Sequence, residues 1–357
     1  MLTELFDYDL PNALIARHPT PARDGARMLT VGRDGLGHGW IRHWPELVDR
    51  RALVVLNQTR VLRARLRGRR EPSQGQVELF LLRPEDRTSV SREVQYWSAF
   101  GRASSPLRSG TLIRVGDLEA TVRERREGGE LLLELRGAPD VDDAIERNGE
   151  VPIPPYLKRP VCDSDRERYQ TVFAKQTGSV AAPTAGLHLT SAMLDRLVER
   201  GVQIARITLH VGAGTFKPVQ AHDLDDHVMH KETFEVSHAV VEAIRRVRRA
   251  RGPVIAVGTT VVRALESAAD PEEAGQVRAV TGETSLMIRP GNPLRVVDGL
   301  LTNFHQPRST LLALVSAFVG RARILRAYKE AIAREYRFLS YGDAMWIPER
   351  LPELEEP

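Results

Sequence analysis

Four short loops carry most of the chemistry-bearing residues of this 357-residue chain. They are Gly186-Leu187-His188, His210-Val211-Gly212-Ala213-Gly214-Thr215, Gly258-Thr259-Thr260 and Gly282-Glu283-Thr284-Ser285. Glycine lets backbone come close to a bound molecule, and neighbouring hydroxyl or imidazole groups supply polar contacts. Gly258-Thr259-Thr260 follows the apolar run Val254–Val257 and opens a helical pattern, with Thr260 as the expected hydroxyl cap. A strand, a tight glycine turn and a helix start leave N–H groups for an anion such as a carboxylate, although an ordinary strand-to-helix turn has the same spelling. Glu283, expected at a turn between short strands, is placed to hold an amine or ring nitrogen, or is simply a surface glutamate. Four such loops in one half of the chain predict the floor of one polar pocket, and hence an enzyme.

Other chemistries fit less well. His188, His210, His227, His230 and His305 invite a metal reading, but neither a cysteine pair nor a metal-binding motif accompanies them, so no metal is expected. A nucleophile elbow of the G-x-S-x-G type is missing, which disfavours a serine hydrolase. Gly212-Ala213-Gly214 has two of the three glycines of a dinucleotide fingerprint and lacks the acidic residue that should follow.

The elements that must position these loops fall into two textures. Ala52–Asn57 is a compact apolar strand of the kind buried on both faces. Between residues 61 and 150 come short alternating strands with glycine-containing turns, predicting a small all-β, barrel-like domain. After the proline-rich stretch Val151–Leu157, helices alternate with strands. The expected fold class is α/β, with a discontinuous α/β domain of residues 1–60 and 151–357 and a β-barrel-like domain inserted at 61–150. Helices are expected at 164–173, 191–200 (capped by Thr190), 237–251, 260–269, 309–319 and 324–336. Arg60, Arg63, Arg65, Arg67 and Arg69 punctuate the entry to the barrel, and alternation puts the last four on one strand face. That face contacts RNA, or is merely solvated.

Bulk composition is that of an ordinary globular protein, 42% hydrophobic and 27% charged. The net charge of +4, from 51 basic and 47 acidic residues, leaves both nucleic-acid and small polar partners open. One cysteine, Cys162, excludes an intrachain disulfide and points to a reducing compartment. The chain start lacks a basic and apolar signal tract, and the apolar runs are short for a membrane span, so a cytoplasmic protein without membrane association is expected.

Long ordered blocks take the reading further: LNQTRVLRARLRG at Leu56–Gly68, PPYLKRP at Pro154–Pro160 and RYQTVFAKQTGSVAAPTAGLHLT at Arg168–Thr190. They continue with LHVGAGTFKPV at Leu209–Val219, HVMHKETFEV at His227–Val236, VIAVGTTVVRALES at Val254–Ser267, GETSLMIRPG at Gly282–Gly291 and YRFLSYGDAMWI at Tyr336–Ile347. With VDGLLTNFHQPRSTLLALVSAF at Val297–Phe318, the chain resembles the S-adenosylmethionine:tRNA ribosyltransferase-isomerases of queuosine synthesis over nearly its whole length. It departs from the family pattern at Leu189 and Gln306, which flank polar positions rather than removing them.

The resemblance implies transfer and isomerisation of the ribosyl part of S-adenosylmethionine onto 7-aminomethyl-7-deazaguanine at the tRNA wobble position. The products would be epoxyqueuosine in tRNA, adenine and methionine. S-adenosylmethionine would be a consumed substrate, with no further cofactor, and the protein a monomer or weak dimer. A proton acceptor is needed, and His210 is the first choice because a strand end holds a group rigidly, with His188 second. The expected substrate-binding set is Glu283, Gly212, Gly214, Thr215, Gly258, Thr259, Thr260, Asn303 and His305, and the expected tRNA contacts are the five arginines. A methyltransferase and a non-catalytic RNA-binding protein are the competing readings. The density of Gly, Thr and His loops argues against the second, and the late position of the glycine-rich turn against the first.

Overall fold

The computed structural model describes residues 1–85, 91–212, 214 and 219–352. The chain starts with a hairpin, β1 (Arg27–Gly32) and β2 (Gly35–Trp40), then a short helix α1 (Trp44–Leu47) and two strands, β3 (Leu53–Asn57) and β4 (Thr59–Val61). Six antiparallel strands follow: β5 (Arg65–Glu71), β6 (Gln76–Pro84), β7 (Val94–Ala103), β8 (Leu112–Val115), β9 (Leu118–Arg125) and β10 (Glu130–Arg136). They close into a barrel in the order β10-β7-β6-β5-β8-β9. Its inward residues, among them Leu66, Leu79, Ala99, Ile113, Ala120 and Leu133, form a core of their own. Closure leaves the barrel without open edges.

The chain leaves the barrel through α2 (Val141–Asn148), α3 (Asp163–Arg168) and β11 (Gln176–Ser179), which pairs in parallel with β4. Then come α4 (Ser191–Glu199), β12 (Gln203–Leu209), β13 (Glu232–Val236), α5 (His238–Arg249), β14 (Val254–Val257) and α6 (Thr259–Ser267). The chain closes with β15 (Val280–Thr284), β16 (Gly299–Asn303), α7 (Thr310–Val319), α8 (Arg321–Ala333) and β17 (Ala344–Ile347). The large sheet has nine strands in the order β15-β13-β12-β3-β14-β16-β17-β1-β2, and its centre, β12-β3-β14-β16, is parallel. The protein is thus a large mixed α/β unit with a separate six-stranded antiparallel barrel.

Strand β3 is buried at every position because both faces of the sheet are covered. Leu53 and Val55 pack with residues of α5 to α8, and Val54 and Leu56 with Trp44, Met193 and Leu197 on the opposite face. Period-two alternation therefore feeds two helical layers from one short strand.

Several expected elements differ. The helix expected at 164–173 ends at Arg168, because Tyr169 and Phe173 turn into two different buried clusters, and Cys162 occupies its cap position. Val198 lies outside the apolar stripe of α4 and is 58% exposed, whereas the Thr190 cap is present, its hydroxyl accepting from Met193 N–H at 3.2 Å. Helix α6 starts one residue early, with Gly258 at its cap position, so Thr260 does not cap it. Gly282 and Glu283 lie within strand β15 and not in a turn. Helix α2 and strands β11, β13 and β16 are additional. Helix α2 had a readable signal in the Asp140 cap and the apolar Val141, Ala144 and Ile145, which seal the barrel core.

Candidate active site

The parallel strands β14 and β16 end side by side, and outside their carboxyl ends lies a cavity of about 360 Å³. This is where open α/β sheets place ligands, because connecting loops diverge there. Gly258, Thr259 and Thr260 bring the start of α6 to the cavity, while Thr302, Asn303 and His305 come from the end of β16. Gly258 adopts φ +94°, a conformation open to glycine at little cost, and this lets the chain turn from β14 directly into the helix. First-turn N–H groups of a helix lack intrahelical acceptors, so this wall is suited to an anion.

Asn57, at the end of β3, ties neighbouring elements to the start of α6. Its Oδ1 accepts from Leu209 N–H and Thr59 N–H, both at 3.1 Å. Its Nδ2 donates to Leu209 O at 2.9 Å and to Thr260 Oγ1 at 3.3 Å. A single buried amide thus joins β3, β12 and α6 under the cavity.

The next wall is a pair of buried histidine contacts. Asn303 Nδ2 lies 3.1 Å from His188 Nε2, and Thr302 Oγ1 lies 2.9 Å from His305 Nε2. Burial first, and then the guanidinium groups of Arg337, Arg23 and Arg168, pull His188 down to about 4. Burial alone pulls His305 down to about 3. Both rings are neutral near pH 7. His305 lines the cavity, whereas His188 stands behind Asn303 without lining it.

Opposite, Arg263 of α6 and Glu232 of β13 form a buried ion pair through Nη1 and Oε2. Glu232 Oε1 also accepts Gly212 N–H at 3.1 Å, tying the glycine loop after β12 to the helix. Both ionic residues line the cavity, with Gly214, His227 and His230 beside them. A Cβ on Gly214 would enter the His230 ring, so only glycine fits there. The remaining wall is aromatic, from Tyr156 and Tyr169. The Tyr156 hydroxyl pairs with Ser340 Oγ, and burial raises it to about 12. Beneath Tyr169, Asp165 takes Arg159 through 2.6 and 2.7 Å bonds and Tyr341 OH at 2.8 Å. Burial opposes ionisation of Asp165, but these bonds overcome it and hold the carboxyl well below its usual range.

Of the expected substrate-binding residues, Gly214, Gly258, Thr259, Thr260, Asn303 and His305 converge on the cavity. Gly212 supports it through Glu232, and Thr215 lies outside the described residues. Glu283 does not join them: it is on the edge strand β15, 52% exposed, with Lys231 at 3.3 Å. His210 is not a lining residue either. Its Nδ1 is 2.7 Å from Thr59 Oγ1, and its ring stacks close to Gly178, on the β4–β11 ribbon that leads to the barrel. Sequence reasoning missed Asn57, Arg263 and Glu232, because a single polar or charged residue in a helix or strand pattern reads as a surface residue until its partners are known.

The arginines divide. Arg65, Arg67 and Arg69 alternate on β5, but Arg63 precedes the strand and docks on Glu146, with its Nη2 at 3.0 Å, as Arg60 does at 4.0 Å. Arg67 lies 3.5 Å from both Glu78 and Glu150. Arg67 and Arg69 line an open groove on the barrel together with Arg102 and Arg114. Among the described residues, no group of three or more His, Cys, Asp or Glu side chains is arranged to hold a metal, and no helix is long and apolar enough to cross a membrane.

A ligand cavity at the carboxyl edge of a mixed α/β sheet, beside a barrel carrying a basic groove, defines the class of a two-part α/β enzyme. The profile of the queuosine biosynthesis protein family matches residues 3–347. The S-adenosylmethionine:tRNA ribosyltransferase-isomerase of Sorangium cellulosum is 52% identical, with 97% of this chain and 98% of the relative covered. That of Geobacter sulfurreducens is 47% identical over 97% of this chain and 100% of its own. The crystal structure of S-adenosylmethionine tRNA ribosyltransferase from Thermotoga maritima superposes with a TM-score of 0.54 at 32% identity, covering 96% of this chain and 99% of that one. The chain belongs to the queuosine biosynthesis protein family, and it is an enzyme.

Proposed function

We propose that the protein transfers and isomerises the ribosyl moiety of S-adenosylmethionine onto 7-aminomethyl-7-deazaguanine at the wobble position of tRNA, releasing adenine and methionine and leaving epoxyqueuosine. The observation that carries this reading is the convergence of six residues, expected from separate sequence blocks, on one cavity at the sheet's carboxyl edge. The start of α6 suits the methionine carboxylate. Tyr156, partly exposed, offers a face for a purine ring, with the buried Tyr169 beside it. S-adenosylmethionine is consumed as a substrate and no further cofactor is required.

Residues 1–60 and 151–357 form the catalytic unit in this reading, and 61–150 an inserted domain that holds tRNA through Arg67 and Arg69, with Arg60, Arg63 and Arg65 at its base. An anticodon-loop base is reached without opening a duplex, so phosphate contacts and stacking suffice. The chemistry needs an uncharged aminomethyl nucleophile and removal of a ribose proton made acidic by the sulfonium. His230 is the proton acceptor we favour, since it lines the cavity and remains solvent-accessible. His188 serves as a support for Asn303, and His210 as a support for the ribbon. Glu283, outside the cavity, is left to the tRNA side of the site.

The test is incubation with S-adenosylmethionine and tRNA bearing the precursor base, followed by chromatography for adenine and mass spectrometry of the nucleosides. A methylated base, or an unchanged one, would replace this reading with that of a methyltransferase or a non-catalytic binder.

A further inference from the structure

Asn303 ends strand β16, is 2% exposed and lines the cavity. Its amide has one permitted orientation. The nitrogen donates to Leu339 O at 3.3 Å, and a backbone carbonyl only accepts, so nitrogen and not oxygen must face it. Leu339 itself is pinned: it adopts φ +70°, unusual for a non-glycine residue, and its carbonyl also takes Gly342 N–H at 2.9 Å. The same Asn303 nitrogen lies 3.1 Å from His188 Nε2, and facing a donor this ring nitrogen accepts, which puts the proton of the neutral ring on Nδ1. With its nitrogen committed to Leu339 and His188, Oδ1 is the remaining polar atom of this amide, on a residue that lines the cavity. Among the described residues, no donor reaches this buried oxygen. Native proteins rarely leave such an atom unpaired. Its neighbours are already paired, Thr302 with His305 and Tyr156 with Ser340.

We propose that Asn303 Oδ1 is the specificity-determining acceptor for a neutral N–H or O–H donor on the nucleoside part of S-adenosylmethionine, with His188 and Leu339 as the residues that position it. This rests on the ribosyl-transfer reading above. The donor is the adenine exocyclic amine or a ribose hydroxyl. The small substrate is chosen over the tRNA base because Asn303 lines the same cavity as the start of α6, where that reading seats the methionine carboxylate. An acceptor locked in this way rejects a ligand lacking the donor, because the oxygen is then left buried and unpaired.

The test is calorimetric binding without tRNA, using S-adenosylmethionine and its 6-deamino, 2′-deoxy and 3′-deoxy analogues. The wild-type chain should bind one analogue about 10- to 100-fold more weakly than the parent, and that analogue names the donor. Asn303→Ala should bind the parent and that analogue alike. If the wild type binds all three analogues within twofold of the parent, or the variant keeps the discrimination, the proposal is overturned. The same holds if Asn303→Ala weakens tRNA binding alone. The wild-type comparison decides even if the variant fails to fold. For positioning, His188→Leu should raise KM for S-adenosylmethionine with kcat little changed, and His188→Gln, which retains an acceptor, should restore it. An equal loss in both variants overturns the positioning role. A wild type that binds S-adenosylmethionine and releases adenine, yet shows no discrimination, sinks the Asn303 proposal alone. One that neither binds it nor releases adenine removes the ribosyl-transfer reading and this proposal with it.

Discussion

Glu232 joins two parts of the site at once: one carboxylate oxygen holds Arg263 of α6 and the other takes Gly212 N–H at 3.1 Å. The pair is almost fully buried, at 8% and 5% side-chain exposure, so each charge depends on the other. Removing one partner strands a buried charge, and Arg263→Met should cost about 3–5 kcal/mol of stability. Arg263→Met combined with Glu232→Leu should recover part of that loss. Urea unfolding of the wild type, Arg263→Met, Glu232→Leu and the double variant measures it, and additive losses would mean that the pair is not coupled.

The two buried histidines make stability depend on pH. Their folded values of about 4 for His188 and about 3 for His305 lie below the ordinary 6.5, so the unfolded chain binds protons first as pH falls. Their contribution is intact above pH 6.5 and is lost on acidification towards pH 4 and pH 3 respectively, each at about 1.4 kcal/mol per pH unit. His305→Gln should flatten the pH dependence of the urea midpoint between pH 6 and 4. An unchanged slope would show that His305 is protonated in the folded protein.

On the barrel, Arg67 and Arg69 are exposed in one groove, Arg67 beside Glu78 and Glu150, while Arg63 is only 22% exposed and held on Glu146. Arg67→Ala and Arg69→Ala should each weaken tRNA binding and reduce the slope of log K against log salt by roughly 0.7 to 0.9 per lost phosphate contact. Arg63→Ala should leave the slope unchanged. A salt titration of all three variants would show whether this face touches RNA or is only solvated.

How much was legible follows from the kind of signal each feature leaves. The β3 strand, the barrel strands and Gly258 were readable, because apolar runs, alternation and glycine turns are local patterns. Strand β16 was not: Gly299–Asn303 is uniformly buried, but its Thr302-Asn303 end reads as loop when the partner strands are unknown. Glu283 looked like the site carboxylate because it neighbours a glycine, whereas Glu232 has only β-strand surroundings and becomes recognisable once Arg263 is seen opposite it. His210 failed as a lining residue for a related reason. Strand ends are rigid, but whether the ring faces the cavity or the ribbon depends on the pairing of β4 with β11.

The histidines separate by what their rings touch, and kinetics should separate them in the same way. His210 contacts Thr59 on the β4–β11 ribbon and does not line the cavity, so His210→Ala should leave S-adenosylmethionine binding within about twofold and lower turnover by less than about tenfold, as expected for a supporting residue. His230 lines the cavity against Gly214. If it accepts the ribose proton, His230→Ala should reduce adenine release from preloaded tRNA by about 10²- to 10⁴-fold while both substrates still bind. Binding of each substrate must be measured alone, because weaker binding with normal turnover at saturation would make His230 a positioning residue. A fall of a hundredfold or more in His210→Ala, with both affinities intact, would move proton transfer to the ribbon side of the site.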